Sequence, residues 1–254
     1  MAEPAKGFLT APPPPNAHCQ RIDFEHTKPA FPEYKNLCAA VIDDVFAPEE
    51  CNELLRLAES STLPQRSGGG GGGGGGDPAA PPVWERAMIN IGNGKQLGID
   101  HLDNQPLVTG LAGRNKSYRL TRLNERLRFL KYEGGEYFRP HWDGFYTTPD
   151  KTEKSYFTVH LYLNGAGEQD HNEWKKAMKK VGTSGEKNLD TNGELLGGAT
   201  SFLEGFNEKG RTLRVFPRTG SVLVFQQNDL MHAGDPVLRG TKYTVRTDIM
   251  YQRV

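Results

Sequence analysis

Cysteine is scarce: Cys19, Cys38 and Cys51 are the only three in 254 residues, and all lie near the N-terminus. An odd, clustered set suits neither a disulfide framework nor a paired-cysteine zinc site, so a reducing compartment is expected. An excess of one charge is also lacking, since 31 basic residues face 31 acidic ones, and no global field draws the chain toward nucleic acid or an anionic membrane. No apolar run approaches the ~20 residues that cross a bilayer, and the opening MAEPAKGFLTAPPPP has neither the basic nor the apolar region of a signal peptide. The expectation is an intracellular protein, cytoplasmic or nuclear, with no membrane and no nucleic-acid partner. Hydrophobic content is only 36%, but thirty glycines and seventeen prolines, many in two tracts, dilute it and leave enough to bury one core.

The chain divides by composition. Residues 1–36 are proline-rich and without period, which predicts an unstructured or loosely draped arm. Residues 37–254 are expected to form a single domain, opening with a strand in LCAAVIDDVF and a helix in APEECNELLRLAES, where Pro48 sits near the helix start and Leu54, Leu55, Leu57 and Ala58 form a core stripe. SGGGGGGGGGDPAAPP (67–82) cannot bury apolar area and is expected to be a mobile surface loop. WERAMINIG (84–92) reads as a strand, and RLTRLNERLRFLKY (119–132) as a helix passing into a strand. From 130 onward short strand candidates dominate (YFRPHWD, YFTVHLYLN, ATSFL, LRVFP, GSVLVFQQ, KYTVRTDIMYQ), which predicts an antiparallel sandwich or barrel. The charged stretch 165–196 interrupts it as a surface insertion whose HNEWKKAMKK suits a short basic helix with a solvated face.

Within HWD, His141 and Asp143 are two apart, so on a strand both side chains point the same way and can meet one metal ion. The best third ligand is His232 in NDLMHAGDP, which follows the strong strand SVLVFQQ and enters a turn. Two imidazoles and one carboxylate suit iron(II) and leave positions open. On YFTVHLYLN, Thr158, His160 and Tyr162 share a polar face able to line a pocket, with His160 expected as a satisfied structural histidine. Trp142, Phe145 and Tyr146 flank the metal motif and suit either an aromatic substrate wall or ordinary packing.

Two longer blocks carry a family resemblance. KYEGGEYFRPHWDG and HAGDPVLRGTKYTVRTDIMY resemble the signature blocks of the prolyl 4-hydroxylase-like branch of the Fe(II)/2-oxoglutarate-dependent dioxygenases. VIDDVFAPEECNELL, YLN and GGATSFL resemble that family's first strand and helix, middle strand and GGxTxF strand, in the same order. The resemblance implies a mainly β protein with flanking helices and a double-stranded β-helix (jelly-roll, cupin-like) core. It implies Fe(II), 2-oxoglutarate and O2 as cofactors, with ascorbate as activator. It makes Lys242 the partner of the distal carboxylate of 2-oxoglutarate and Tyr132 a hydroxyl donor to it. Arg246, four residues on and about 13 Å along the strand, is left as an alternative anchor or a contact to an acidic substrate group, unless Asp248 neutralises it.

The activity so implied is oxidative decarboxylation of 2-oxoglutarate to succinate, coupled to hydroxylation. The leading substrate is a prolyl or other residue in a protein. The alternatives are a small metabolite such as a free amino acid, and a non-catalytic binding or sensing module on the same fold. An open groove beside the metal favours a polypeptide; a pocket capped by 165–196 favours a small molecule.

Overall fold

A computed structural model describes residues 17–61, 118–184, 191–206 and 210–253. The glycine-rich segment 67–82, the strand expected over 84–92 and the first sixteen residues of the arm lie outside the described residues. In chain order the elements are β1 (His18–Arg21), β2 (Ala39–Asp43), α1 (Pro48–Ser61), β3 (Tyr118–Leu123), β4 (Arg128–Glu133), β5 (Phe138–His141) and β6 (Glu153–Tyr162). There follow α2 (His171–Ser184), β7 (Leu196–Gly197), β8 (Thr200–Leu203), β9 (Thr212–Val215), β10 (Val222–Gln226), β11 (His232–Gly234), β12 (Val237–Arg239) and β13 (Thr241–Arg253). No helix among the described residues is long and apolar enough to cross a membrane.

The strands form a jelly roll. The larger sheet runs β1-β2-β10-β6-β13-β3, with β4 also on β13; the smaller runs β5-β11-β8-β9, and β12 pairs with β7. Between the sheets Tyr162, Leu223 and Phe225 of the larger meet Phe202, Leu203, Met231 and Ala233 from the smaller and the turn before it. The larger sheet is buried on its other face too, where Leu161, Leu163, Val222 and Val245 pack against Cys51 and Leu54 of α1. Each of these apolar side chains gains roughly 1.5–3 kcal/mol by leaving water. Helix α1 starts where the sequence predicts: proline at the first helical position costs no hydrogen bond, and the Glu50 carboxylate accepts from the Ala47 N–H at 2.9 Å.

Two expectations are corrected. Residues 17–36 are not a loose arm: β1 extends the larger sheet, and Phe24, Phe31 and Tyr34 enter the inter-sheet core at 2%, 0% and 7% exposure. The Tyr34 hydroxyl donates to the Leu203 carbonyl at 2.5 Å. Three aromatics bury enough area to fix a proline-rich segment whose average composition reads as disordered. The helix expected from residue 119 is instead β3, paired with the end of β13. Leu120 and Leu123 lie three apart like a helical stripe, with Leu127 just beyond β3, but they stand 55%, 57% and 50% exposed at the sheet edge.

Candidate metal centre and cofactor pocket

Strand pairing brings the candidate ligands together. Antiparallel pairing of β5 with β11 sets His141 directly opposite His232, with ring centroids 4.3 Å apart. Asp143, two residues past His141, turns to the same side. Its Oδ1 lies 3.6 Å from His141 Nε2 and its Oδ2 3.6 Å from His232 Nε2. All three ligand atoms fall within 4.8 Å of one another. Each imidazole is oriented by its own chain: His141 Nδ1 meets the Arg139 carbonyl at 2.7 Å and His232 Nδ1 the Leu230 carbonyl at 3.2 Å. A carbonyl only accepts, so Nδ1 carries the proton and Nε2 keeps its lone pair toward the shared centre. Burial, then neighbouring His141, presses His232 down to about 3, which keeps it neutral and able to ligate.

The carboxylate is held from two sides. Thr158 on β6 donates its hydroxyl to Asp143 Oδ2 at 2.5 Å, and Arg246 on β13 pairs with Oδ1 at 2.7 Å. Burial works to raise Asp143, but the Arg246 guanidinium leads the effects that outweigh it and hold the carboxyl well below the usual range. A buried, ionised carboxylate beside two imidazoles is a donor set that suits Fe(II).

A cavity of about 660 Å3, counting its open mouth, leads from these ligands along the inner face of the larger sheet. Pairing of β4 with β13 places Tyr132 beside Lys242, whose ammonium lies 5.5 Å from the Tyr132 ring and 5.6 Å from that of Tyr162. Lys242 is 5% exposed, and burial lowers it from its ordinary value to about 8, against the pull of Asp235. The same burial pushes Tyr132 up to about 12. Asn164 of the YLN run fixes the backbone around Lys242, donating to the Thr241 carbonyl at 2.7 Å and accepting from the Tyr243 N–H at 2.8 Å. Gly198 passes so close that a Cβ there would sit 3.1 Å from Lys242 Cδ, and its φ of +68° also favours glycine.

Other expected positions fall elsewhere. Thr158, Tyr162, Trp142 and Tyr146 do not line this cavity, whose wall includes Arg128, Leu130, Phe138, His160, Thr200, Asp235 and Thr244. The Thr158 hydroxyl is spent on Asp143, and the Tyr162 hydroxyl donates to Thr200 Oγ1 at 2.8 Å. Trp142 alternates away from its two neighbours and stands 44% exposed, edge-on to Phe206 at 5.1 Å; Tyr146 is also on the surface. Phe145 packs on Tyr156. His160 is not a satisfied structural histidine, because its Nδ1 is buried without a hydrogen-bond partner. Asp248 makes no ion pair with Arg246 among the described residues, although the guanidinium pulls its carboxyl down against burial; it accepts from Gln227 at 2.9 Å and Asn124 at 3.4 Å. Alternation along β13 makes Thr244 legible from Lys242 and Arg246, whereas Arg128 is reached only through the register of β4 on β13.

A jelly roll that gathers two imidazoles and one carboxylate beside an inner cavity is a protein of the mononuclear 2-His-1-carboxylate class. Residues 127–247 match the family model of the 2OG-Fe(II) oxygenase superfamily, so the chain carries a 2OG-Fe(II) oxygenase domain. That family implies Fe(II), 2-oxoglutarate and O2. Among solved structures, a Pseudomonas putida prolyl-4-hydroxylase is similar at 20% identity and a TM-score of 0.31, over 51% of this chain and 53% of that one. The viral collagen prolyl hydroxylase of Paramecium Bursaria Chlorella virus-1 gives 19% and 0.31, over 52% and 61%. A Trichoplax adhaerens prolyl hydroxylase, in complex with a hypoxia inducible factor peptide fragment, gives 17% and 0.32, over 52% and 46%. The match thus spans about half to three fifths of those chains, and likeness at this level carries nothing about substrate. Comparison with curated proteins returns no match.

Proposed function

We propose that this protein is an iron(II)- and 2-oxoglutarate-dependent dioxygenase that hydroxylates a prolyl or other residue in a polypeptide. The observation that carries the reading is the arrangement of one cavity: the His141, Asp143 and His232 donors at one end, and at the other Lys242, with no carboxylate bonded to it among the described residues. Iron bound there would supply the activation of O2 that amino-acid side chains cannot. His141 and His232 would present Nε2 lone pairs, and Asp143 one carboxylate oxygen while Thr158 and Arg246 keep it ionised and aimed. Lys242 would hold the distal carboxylate of 2-oxoglutarate by a charge-assisted hydrogen bond, with Tyr132 beside it. The apolar wall of Leu130 and Phe138 would exclude water from the bound oxo acid.

Polypeptide is favoured over a capped small-molecule pocket by the place of the 165–196 segment. Its described contacts run to the Lys242 end of the cavity and not to the metal ligands: Glu173 pairs with Arg239, Gln169 binds Gly197, and Leu195 packs with Tyr132 and Leu130. Beside the metal ligands stand the exposed Trp142 and Phe206. A non-catalytic module would need neither an ionised facial ligand set nor a buried lysine in the same cavity.

Protein supplied with Fe(II), ascorbate and 2-oxoglutarate is expected to form succinate, and His141→Ala to form none. Equal succinate from the two sinks the reading. Mass spectrometry of extract incubated with active protein then locates the added oxygen in peptides or, against the polypeptide reading, in metabolites.

A further inference from the structure

The cavity wall carries more positive charge than 2-oxoglutarate requires. Along β13 and β4 the residues facing inward are Lys242 beside Tyr132, then Thr244 beside Leu130, then Arg246 beside Arg128. His160 of β6 lies on the other side of Arg246. The two cationic levels are four residues apart, about 13 Å along a strand. The Arg128–Arg246 level is that of Asp143, where the metal donors are.

The carboxylates available to these cations are already engaged. Asp143 takes Arg246. Asp235, the other carboxylate on the wall, is held at 2.6 Å by Arg214 and at 2.6 Å by the Ser201 hydroxyl. Asp248 is bound to two amides. Among the described residues the Arg128 side chain makes neither a hydrogen bond nor an ion pair, although it is partly buried. Burial and the adjacent Arg246 guanidinium work against its charge, and Asp248 and Asp143 favour it only from a distance, without bonding to it. Arg246 Nε and His160 Nδ1 are likewise buried without partners. Two guanidinium groups side by side, with spare donors and no carboxylate bonded to one of them among the described residues, make an arrangement that a further anion would relieve. 2-Oxoglutarate has two carboxylates, one suited to Lys242 and one joined to the oxo group that faces the metal, and so leaves Arg128 over.

We infer that Arg128, backed by the Nε of Arg246, receives a carboxylate of the compound to be oxidised, so the acceptor is an acid: a free carboxylic acid or an acidic stretch of polypeptide. This rests on the oxygenase reading and narrows its substrate class. Arg128 then acts as a specificity residue, fixing one end of the acceptor at the level of the metal.

The test is equilibrium titration of the full chain loaded with Mn(II) and 2-oxoglutarate, using two matched pairs of probes. One pair is L-proline and L-prolinamide. The other is an end-blocked proline-containing peptide flanked by glutamates and its glutamine counterpart. In one pair the carboxylate member is expected to bind about tenfold tighter. Arg128→Gln reduces that preference to less than about twofold, while Arg128→Lys, which keeps the charge, retains part of it. 2-Oxoglutarate affinity stays within about twofold in both variants. The pair that responds tells a free acid from a peptide. Absence of a carboxylate preference in both pairs overturns the inference. So does an Arg128→Gln protein that loses 2-oxoglutarate, which would assign the arginine to the cosubstrate. Failure of the oxygenase reading appears separately, as absence of succinate with Fe(II).

Discussion

At the metal end of the cavity every candidate ligand already has a protein partner: His141 and His232 lean on backbone carbonyls, and Asp143 on Thr158 and Arg246. At the other end Lys242 lies beside Tyr132 and Tyr162, with no carboxylate bonded to it among the described residues. The first arrangement fixes geometry in advance, as a metal site must if its ligands are to avoid reorganising. The second leaves an expensive buried cation whose cost a dianionic cosubstrate would offset, so selectivity for such a ligand is built in as unsatisfied charge.

The contrast is broken most severely at Asp143. Asp143→Ala removes a metal ligand and also leaves Arg246 buried beside Arg128 without its counter-ion. Loss of one partner from a buried pair costs about 3–5 kcal/mol. Asp143→Ala is therefore expected to abolish metal binding and to lower stability by about 3 kcal/mol in denaturant unfolding. His141→Ala, whose side chain pairs with no buried cation, should lose metal without that fall. Equal stability of the two variants would show that Arg246 finds another partner. At the other end, Lys242→Ala is expected to weaken 2-oxoglutarate by roughly 30-fold or more, the low end of the ~2–5 kcal/mol for truncating a buried charge pair. Mn(II) affinity should be unchanged in the same titration. If Arg246→Ala produces the larger loss of 2-oxoglutarate, the anchor lies at the metal level instead.

The sequence discloses what depends on alternation and conceals what depends on register. His141 and Asp143 are legible as same-side neighbours from their spacing alone, and Lys242, Thr244 and Arg246 as one face of β13. The Arg246–Asp143 pair was not legible, because Asp248 on the same strand face offers the nearer carboxylate in sequence, and only the packing of β13 over the chain after β5 decides between them. Arg128 was hidden for a related reason: it faces Arg246 only because β4 pairs with the first half of β13 and β3 with the second. In residues 17–36 proline masked Phe24, Phe31 and Tyr34, whose burial is settled by long-range contacts with β8 and the turn before β11 that local composition cannot register. In β3 the leucine spacing imitated a helix because an edge strand can leave its apolar side chains in water.

The mildest test concerns the proton on Lys242. Burial lowers its pKa from 10.5 to about 8, so below pH 8 the free protein already carries the ammonium that a carboxylate needs, and above it the proton must be taken up on binding. 2-Oxoglutarate affinity is therefore expected to be level at lower pH and to fall by up to about tenfold per unit above pH 8, until the higher pKa of the bound lysine is reached. Stability carries the opposite sign. Between about 8 and 10.5 the unfolded chain holds a proton that the folded lysine has released, so this lysine's contribution to folding improves as pH rises through that window. Calorimetric titration and denaturant unfolding across the window measure both slopes on the same protein. Lys242→Arg keeps its charge throughout and should flatten both; a variant that retains the fall in affinity would move its origin away from Lys242.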